Sequence, residues 1–303
     1  MSTKKMQLYK DCTLCPRNCH VNRLEGKKGY CGMDSRIFAA RAALHMWEEP
    51  CISGEKGSGA VFFTGCNLKC SYCQNREIAI GSSGREITSE RLAEIFLELQ
   101  EKGAANINLV TGTHYVPGIV EALDTARLRG LRLPVVYNCG GYEKVETLRM
   151  LDGYVDIYLP DFKYMEENLA AELSHAPDYP EIAKIAIKEM VRQTGKCEFG
   201  EDGYIRRGTV VRNLILPGHT KNSVKVLEYL HETYGNEIYL SIMNQYTPVY
   251  CHENHPELNR RVTAREYEKV LDAALSMGIE NGFFQDGETA KESFIPAFDY
   301  DGI

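Results

Sequence analysis

The sequence predicts an α/β fold: a partial (β/α)6 TIM-like barrel with a small N-terminal cysteine-rich module. Three observations carry this. From about residue 60, short apolar runs alternate with amphipathic stretches, the pattern of repeated βα units on a parallel sheet. A chain of 303 residues, 44% of them hydrophobic, suffices for one barrel-sized core. Residues 8–32 are instead rich in cysteine and glycine with little apolar periodicity, so they need a cross-link or a metal to fold. The expected organisation is a module and linker over 1–50, a barrel over 51–285, and a tail over 286–303 that closes one end.

The expected strands are Ala60 to Phe63, Ile107 to Val110, Val135 to Tyr137, Val155 to Leu159, Thr209 to Leu216 and Ile238 to Met243, each rich in β-branched or aromatic residues. Between the first two, Leu92, Ile95, Phe96 and Leu99 recur at helical spacing behind Thr88, an N-cap residue, which predicts a helix over Ser89 to Gln100. Similar patterns predict helices at Val116 to Leu128, Glu143 to Leu148, Ile182 to Gln193, Ser223 to Tyr234 and Ala264 to Met277, the last capped by Thr263. In such folds the working groups sit on loops at the carboxyl ends of the strands.

Composition excludes several classes. A net charge of -7, with no Lys/Arg run longer than two, argues against a nucleic-acid surface. No apolar run approaches the roughly 20 residues that span a bilayer, so no membrane segment is expected. The N-terminus has no apolar signal segment, and seven of the 11 cysteines fall into two tight groups. That pattern indicates metal or cluster ligation in a reducing cytoplasm, not disulfides.

The first group is Cys66, Cys70 and Cys73, spaced C-x3-C-x2-C directly after the first barrel strand. A [4Fe-4S] cluster normally takes four thiolates, so three on one loop leave an iron open for a ligand other than protein. A structural zinc knuckle fits poorly, since it needs four closed ligands, typically as two separated pairs. The second group, Cys12, Cys15, Cys19 and Cys31, supplies four thiolates, which satisfy either a structural zinc or a second [4Fe-4S] cluster.

Around Cys66, Cys70 and Cys73, with Tyr72 as the aromatic residue, the sequence resembles the radical S-adenosylmethionine (SAM) superfamily, whose signature is C-x3-C-x-aromatic-C. Within it, the chain is similar to an uncharacterised branch resembling pyruvate formate-lyase activating enzyme. The stretches that carry the likeness include Gly57 to Phe63, Cys66 to Asn75, Thr113 to Pro117, Tyr158 to Lys163 and Ile295 to Asp299. The resemblance implies that SAM chelates the open iron. One electron then cleaves SAM to methionine and a 5'-deoxyadenosyl radical that abstracts hydrogen from a substrate.

It also implies a set of SAM contacts. Thr111, Gly112 and Thr113 stand where relatives carry a Gly-Gly-Glu segment for the SAM amino group; the carboxylate is missing, and hydroxyls or freed carbonyls replace it. His114 is either a loop-holding or a catalytic histidine. Asn138, before the Gly140-Gly141 turn, and Gln245, after the sixth strand, offer polar contacts to SAM, and Asn244 is a further candidate. Asp161 and Lys163, two apart and on one face of extended chain, match the Asp-x-Lys of glycyl-radical activating enzymes. Lys163 would neutralise the SAM carboxylate, and Asp161 would hold Lys163 or substrate. His219 is expected to cap the helix beginning next to it, and Glu48-Glu49 to form a solvated linker, with substrate binding beside the cluster loop as the alternative.

The expected partners are a low-potential electron donor such as flavodoxin or ferredoxin, and a protein, peptide or small-molecule substrate. The rival reading is a non-catalytic iron-sulfur protein that relays electrons or acts as a scaffold.

Overall fold

The computed structural model describes residues 3–284 and 296–303. Its strands are β1 (Ile37–His45), β2 (Ser58–Phe63), β3 (Arg85–Ile87), β4 (Ile107–Val110), β5 (Val135–Cys139), β6 (Ile157–Pro160), β7 (Glu198–Phe199), β8 (Ile205–Leu214), β9 (Tyr239–Met243) and β10 (Gly282–Phe284). The helices are α1 (Thr3–Lys10), α2 (Arg76–Ala79), α3 (Ser89–Glu101), α4 (Val116–Leu128), α5 (Val145–Leu148), α6 (Glu167–Ser174), α7 (Tyr179–Thr194), α8 (Thr220–Tyr234) and α9 (Ala264–Ser276).

The six expected strands are β2, β4, β5, β6, β8 and β9. They lie side by side in that order, all parallel, so each βα unit adds its strand next to the last. The parallel β10 extends one edge, and antiparallel β1 and β3 extend the other. Strand alternation divides the core. Val61, Leu109, Val135, Tyr137 and Tyr158 face the helices, whereas Phe62, Val110 and Asn138 face the barrel interior.

Helix ends follow their caps. Thr88 accepts from the Arg91 amide, and Thr263 forms a reciprocal capping box with Glu266. The helix expected from Glu143 begins instead at Val145, because the Glu143 side chain turns inward and is buried.

β1 went unforeseen because Ile37–His45 is alanine-rich and has little strand propensity of its own; pairing with β2 makes it a strand. The segment after it is not a solvated linker. It crosses the amino-terminal end of the barrel as a plug, burying Cys51 and Ile52 against Val136, Ile157, Leu159 and Val210. Its backbone is tied to the sheet: the Asn106 side-chain amide donates to the Ile52 carbonyl (2.8 Å), and the Ile205 amide to the Cys51 carbonyl (3.0 Å).

The C-terminal residues lie along β1. The Tyr300 amide bonds the Ala40 carbonyl, the Ala42 amide bonds the Asp301 carbonyl, and Phe298 packs edge-on against Phe62. Residues 286–295 of the expected tail, and Ile295 of the motif, lie outside the described residues. Among the described residues no helix is long and apolar enough to cross a membrane.

Glu143 sits behind β4 and β5, accepting from the Thr113 hydroxyl (2.7 Å) and the Tyr137 hydroxyl (3.3 Å). Burial pushes its carboxyl up from 4.5 to about 8. A folded-state value above the unfolded one means that the native protein holds this proton more tightly. The stability it contributes is full below pH 4.5 and is lost as the pH rises to about 8. Denaturation midpoints of wild type and Glu143→Gln measured from pH 5 to 9 should therefore diverge, with wild type losing up to about 1.4 kcal/mol per pH unit more than the variant below pH 8.

Candidate active site

The loop after β2 turns sharply at Gly65, whose φ of +92° and whose contacts leave no room for a Cβ: it would stand 2.4 Å from Met33 Cγ and 2.9 Å from the Cys31 carbonyl. That turn sends Cys66, Cys70 and Cys73 over the carboxyl end of the barrel, where all three line one interior cavity of about 230 Å3. Burial pushes the Cys66 and Cys73 thiols up, Cys73 to about 12, while Lys163 pulls both the other way.

The loop is held from behind. Tyr72 is buried and accepts from the Tyr164 hydroxyl (2.8 Å); Tyr164 in turn meets Ser174 (2.7 Å), and the Ser174 hydroxyl donates to Cys70 Sγ (3.0 Å).

Opposite the cysteines stands a charge network inside the barrel. Arg212 donates through Nε to Asp161 (2.9 Å), through one terminal nitrogen to Glu48 (3.1 Å) and through the other to the Asn138 side-chain oxygen Oδ1 (2.6 Å). Lys163 donates to the second Asp161 oxygen (2.6 Å), and Asn108 and Asn138 both donate to Glu48 (3.1 Å each).

Burial opposes every charge here. Arg212 and Lys163 outweigh it at Asp161, holding that carboxyl below its ordinary value. Burial wins at Glu48 and at Glu49, which both rise although Arg212 opposes the rise. His45, also on the cavity wall, is lowered to about 4 by burial and by Arg41 and Arg212, so it is neutral at pH 7.

Asp161, Lys163, Thr111, Asn138 and Gln245 line the cavity as the sequence anticipated. Asn138 does so with its amide already bonded to Glu48 and Arg212. Gly112 and Thr113 are corrections. Thr111 takes a left-handed φ of +61°, which turns the next residues outward. Gly112 then packs against Ile119 and Phe63, and the Thr113 hydroxyl is taken by Glu143.

His114 is buried and donates from Nε2 to the Thr64 carbonyl (2.8 Å), so of its two readings the structure supports the loop-holding one. His219 stands at the N-cap position of α8 but pairs with Glu257 (3.1 Å) and makes no cap bond. Asn244 is not on the cavity wall.

Two participants were missed. Glu48 was read first as solvated linker and only second as a carboxylate beside the cluster loop, and the plug points it into the cavity. Arg212 lies near the carboxyl end of β8, directly after the buried run Thr209-Val210-Val211, and a charge set among buried residues was the available signal.

The donor set fits an iron-sulfur cluster. Three cysteine sulfurs share the cavity, and thiolate is the donor that iron-sulfur clusters take. Thiolates that each bind a different iron of a cluster need not meet at one point.

Comparison with known proteins agrees. Residues 60–230 match the family model of the Radical SAM superfamily. The uncharacterised protein MJ0674 of Methanocaldococcus jannaschii is 29% identical over 278 residues, covering 88% of this chain and 75% of that protein. The pyruvate formate-lyase-activating enzyme of Clostridium pasteurianum is 24% identical over 116 residues, 36% of this chain and 46% of that enzyme. The crystal structure of Streptococcus suis SuiB bound to S-adenosylmethionine shares the fold, with a TM-score of 0.50 and 16% identity over 73% of this chain. This chain spans about half, 48%, of SuiB's length. The cysteine loop, the parallel barrel and the match over more than half the sequence place one conclusion beyond the fold: the chain belongs to the radical SAM superfamily.

Proposed function

We propose that this chain is a radical SAM enzyme of the oxidoreductase or activating type, which cleaves SAM reductively and abstracts hydrogen from a substrate in the barrel cavity. The observation that supports it most is the convergence of Cys66, Cys70 and Cys73 with the Glu48–Arg212–Asp161–Lys163 network on one cavity. When bound, the cluster supplies the electron that breaks the sulfonium carbon–sulfur bond of SAM and yields the 5'-deoxyadenosyl radical.

The protein's own residues do the rest. Cys66, Cys70 and Cys73 would hold the cluster, and the cavity they line would receive SAM beside it. Lys163, whose charge already acts on Cys66 and Cys73, meets the SAM carboxylate, and Asp161 fixes its position. Thr111 and Gln245, both on the cavity wall, give further polar contacts to SAM. The plug and the buried wall keep water from the radical.

A protein or peptide is the first substrate class to test, supported by the relative that is a pyruvate formate-lyase-activating enzyme. The electron comes from a low-potential donor of the flavodoxin or ferredoxin type. A pure electron carrier has no use for a deep, charge-lined cavity beside its cluster, which disfavours the scaffold reading.

Anaerobically reconstituted protein, reduced in the presence of SAM, should form 5'-deoxyadenosine, and Cys66→Ala, Cys70→Ala or Cys73→Ala should reduce that product to background. A fully loaded wild type that makes none would sink the enzyme reading. Lys163→Met should weaken SAM binding by roughly 10- to 100-fold, the worth of one charge-assisted hydrogen bond, as read by equilibrium titration; an unchanged affinity would remove Lys163 from the SAM site.

A further inference from the structure

One edge of the sheet is covered over only part of its length. Strand β1 pairs with β2 from Ala39 to His45, and its other side is taken first by β3, against Ile37 to Ala39, and then by the C-terminal residues, which bond Ala40 and Ala42. Beyond Ala42 that cover stops. Leu44 lies opposite Gly59, whose amide is spent on the Asn106 carbonyl beside β4 (3.0 Å), so the Leu44 amide and carbonyl do not serve β2. They point to the open side, where no described residue bonds them.

Proteins normally blunt such an edge with a charge, a proline or a covering segment. Here the uncovered residues are apolar: Leu44, Met46 and Trp47 are 37%, 44% and 54% exposed. Leu44 and Met46 share one face and both border Gly57, where a Cβ would stand 3.3 Å from Leu44 Cβ and 2.6 Å from Met46 Sδ. His45 and Trp47 share the other face, and both line the active-site cavity. The open edge therefore runs directly into the cavity wall.

The first polar side chain along that route is His45. It meets Phe62 edge-on (5.8 Å) and hydrogen-bonds no described residue. A neutral imidazole offers one donor and one acceptor, the pair that a peptide unit matches.

The protein itself shows what this edge accepts. Its C-terminal residues start from Pro296 on the cavity wall and reach the same side of β1, with the Tyr300 amide on the Ala40 carbonyl (3.1 Å) and the Asp301 carbonyl on the Ala42 amide (2.8 Å). An extended segment one step further along finds the same pair of groups at Leu44.

Resting on the reading of the cavity as the seat of radical chemistry, we propose that the open edge of β1, from Leu44 to Trp47, docks an extended, apolar segment of a protein or peptide substrate by strand addition. Main-chain bonds at Leu44 supply affinity, Leu44 and Met46 receive apolar side chains on one face, and Trp47 and His45 lead the other face into the cavity. A small-molecule substrate has no use for such an edge.

The test reads binding and requires no SAM turnover. The probe is a fluorescein-labelled peptide of alternating valine and threonine with a lysine at each end, and its twin with every amide N-methylated. Anisotropy titration of wild type should saturate with the plain peptide and show an affinity at least about tenfold lower for the methylated twin, which cannot donate to the edge. Leu44→Pro should weaken the plain peptide by a similar factor, since proline deletes the outward donor and is tolerated on an edge strand. Leu44→Lys, which blunts the edge at an exposed position, should weaken it likewise if the proline variant fails to fold. Equal affinity for both peptides, or no binding by wild type, overturns the docking edge even where 5'-deoxyadenosine is formed from SAM. Peptide binding by protein that forms no 5'-deoxyadenosine upholds the edge and removes the enzyme reading instead. A wild type that self-associates in sedimentation, and a Leu44→Lys variant that stays monomeric, make the edge a contact between copies and overturn the substrate assignment.

Discussion

Arg212 carries the interior of this molecule. A guanidinium that is almost wholly out of water must be compensated or the barrel cannot close around it, and here Glu48, Asp161 and Asn138 divide its donors between them. Each partner comes from a different part of the chain. Glu48 rides on the plug, Asn138 on β5 and Asp161 at the end of β6, next to Arg212 across a single parallel bridge. The network thus fixes the depth of the plug, the level of two strand ends and, through Asp161, the place of Lys163. The cavity is what remains between that network and the cysteine loop.

The loop needs support of a different kind. Its cysteines point inward, so it must be stiffened from outside the cavity. The Tyr72–Tyr164–Ser174 hydrogen bonds do this from α6. The N-terminal module adds a brace, since Arg17 donates to the Asn67 carbonyl (2.8 Å) in the loop and to the Ser174 carbonyl (3.0 Å), and its guanidinium lies over the Tyr30 ring. A module that reads as an appendage in sequence is, in the fold, the outer wall of the cysteine loop.

These constraints explain which features were legible in the sequence. The six parallel strands were legible because fully buried strands are runs of Val, Ile and Leu with little else to be. The cysteine loop was legible because ligand spacing is local. β1 was not, because its alanines become a strand only beside β2. Thr113 was misplaced by one backbone dihedral: the left-handed Thr111 reverses the direction of the residues after it, and no local pattern announces it. Glu48 and Arg212 were hidden because their meaning lies in each other, 164 residues apart.

The most direct test of the interior network is the unfolding free energy of Arg212→Met, alone and combined with Glu48→Gln, measured by denaturant titration. Leaving buried carboxylates without their cation predicts a loss of about 3–5 kcal/mol in the single variant and partial recovery in the double, where one of the stranded charges is gone. A single variant as stable as wild type, or a double variant that falls further by the full cost of the second change, would contradict the account.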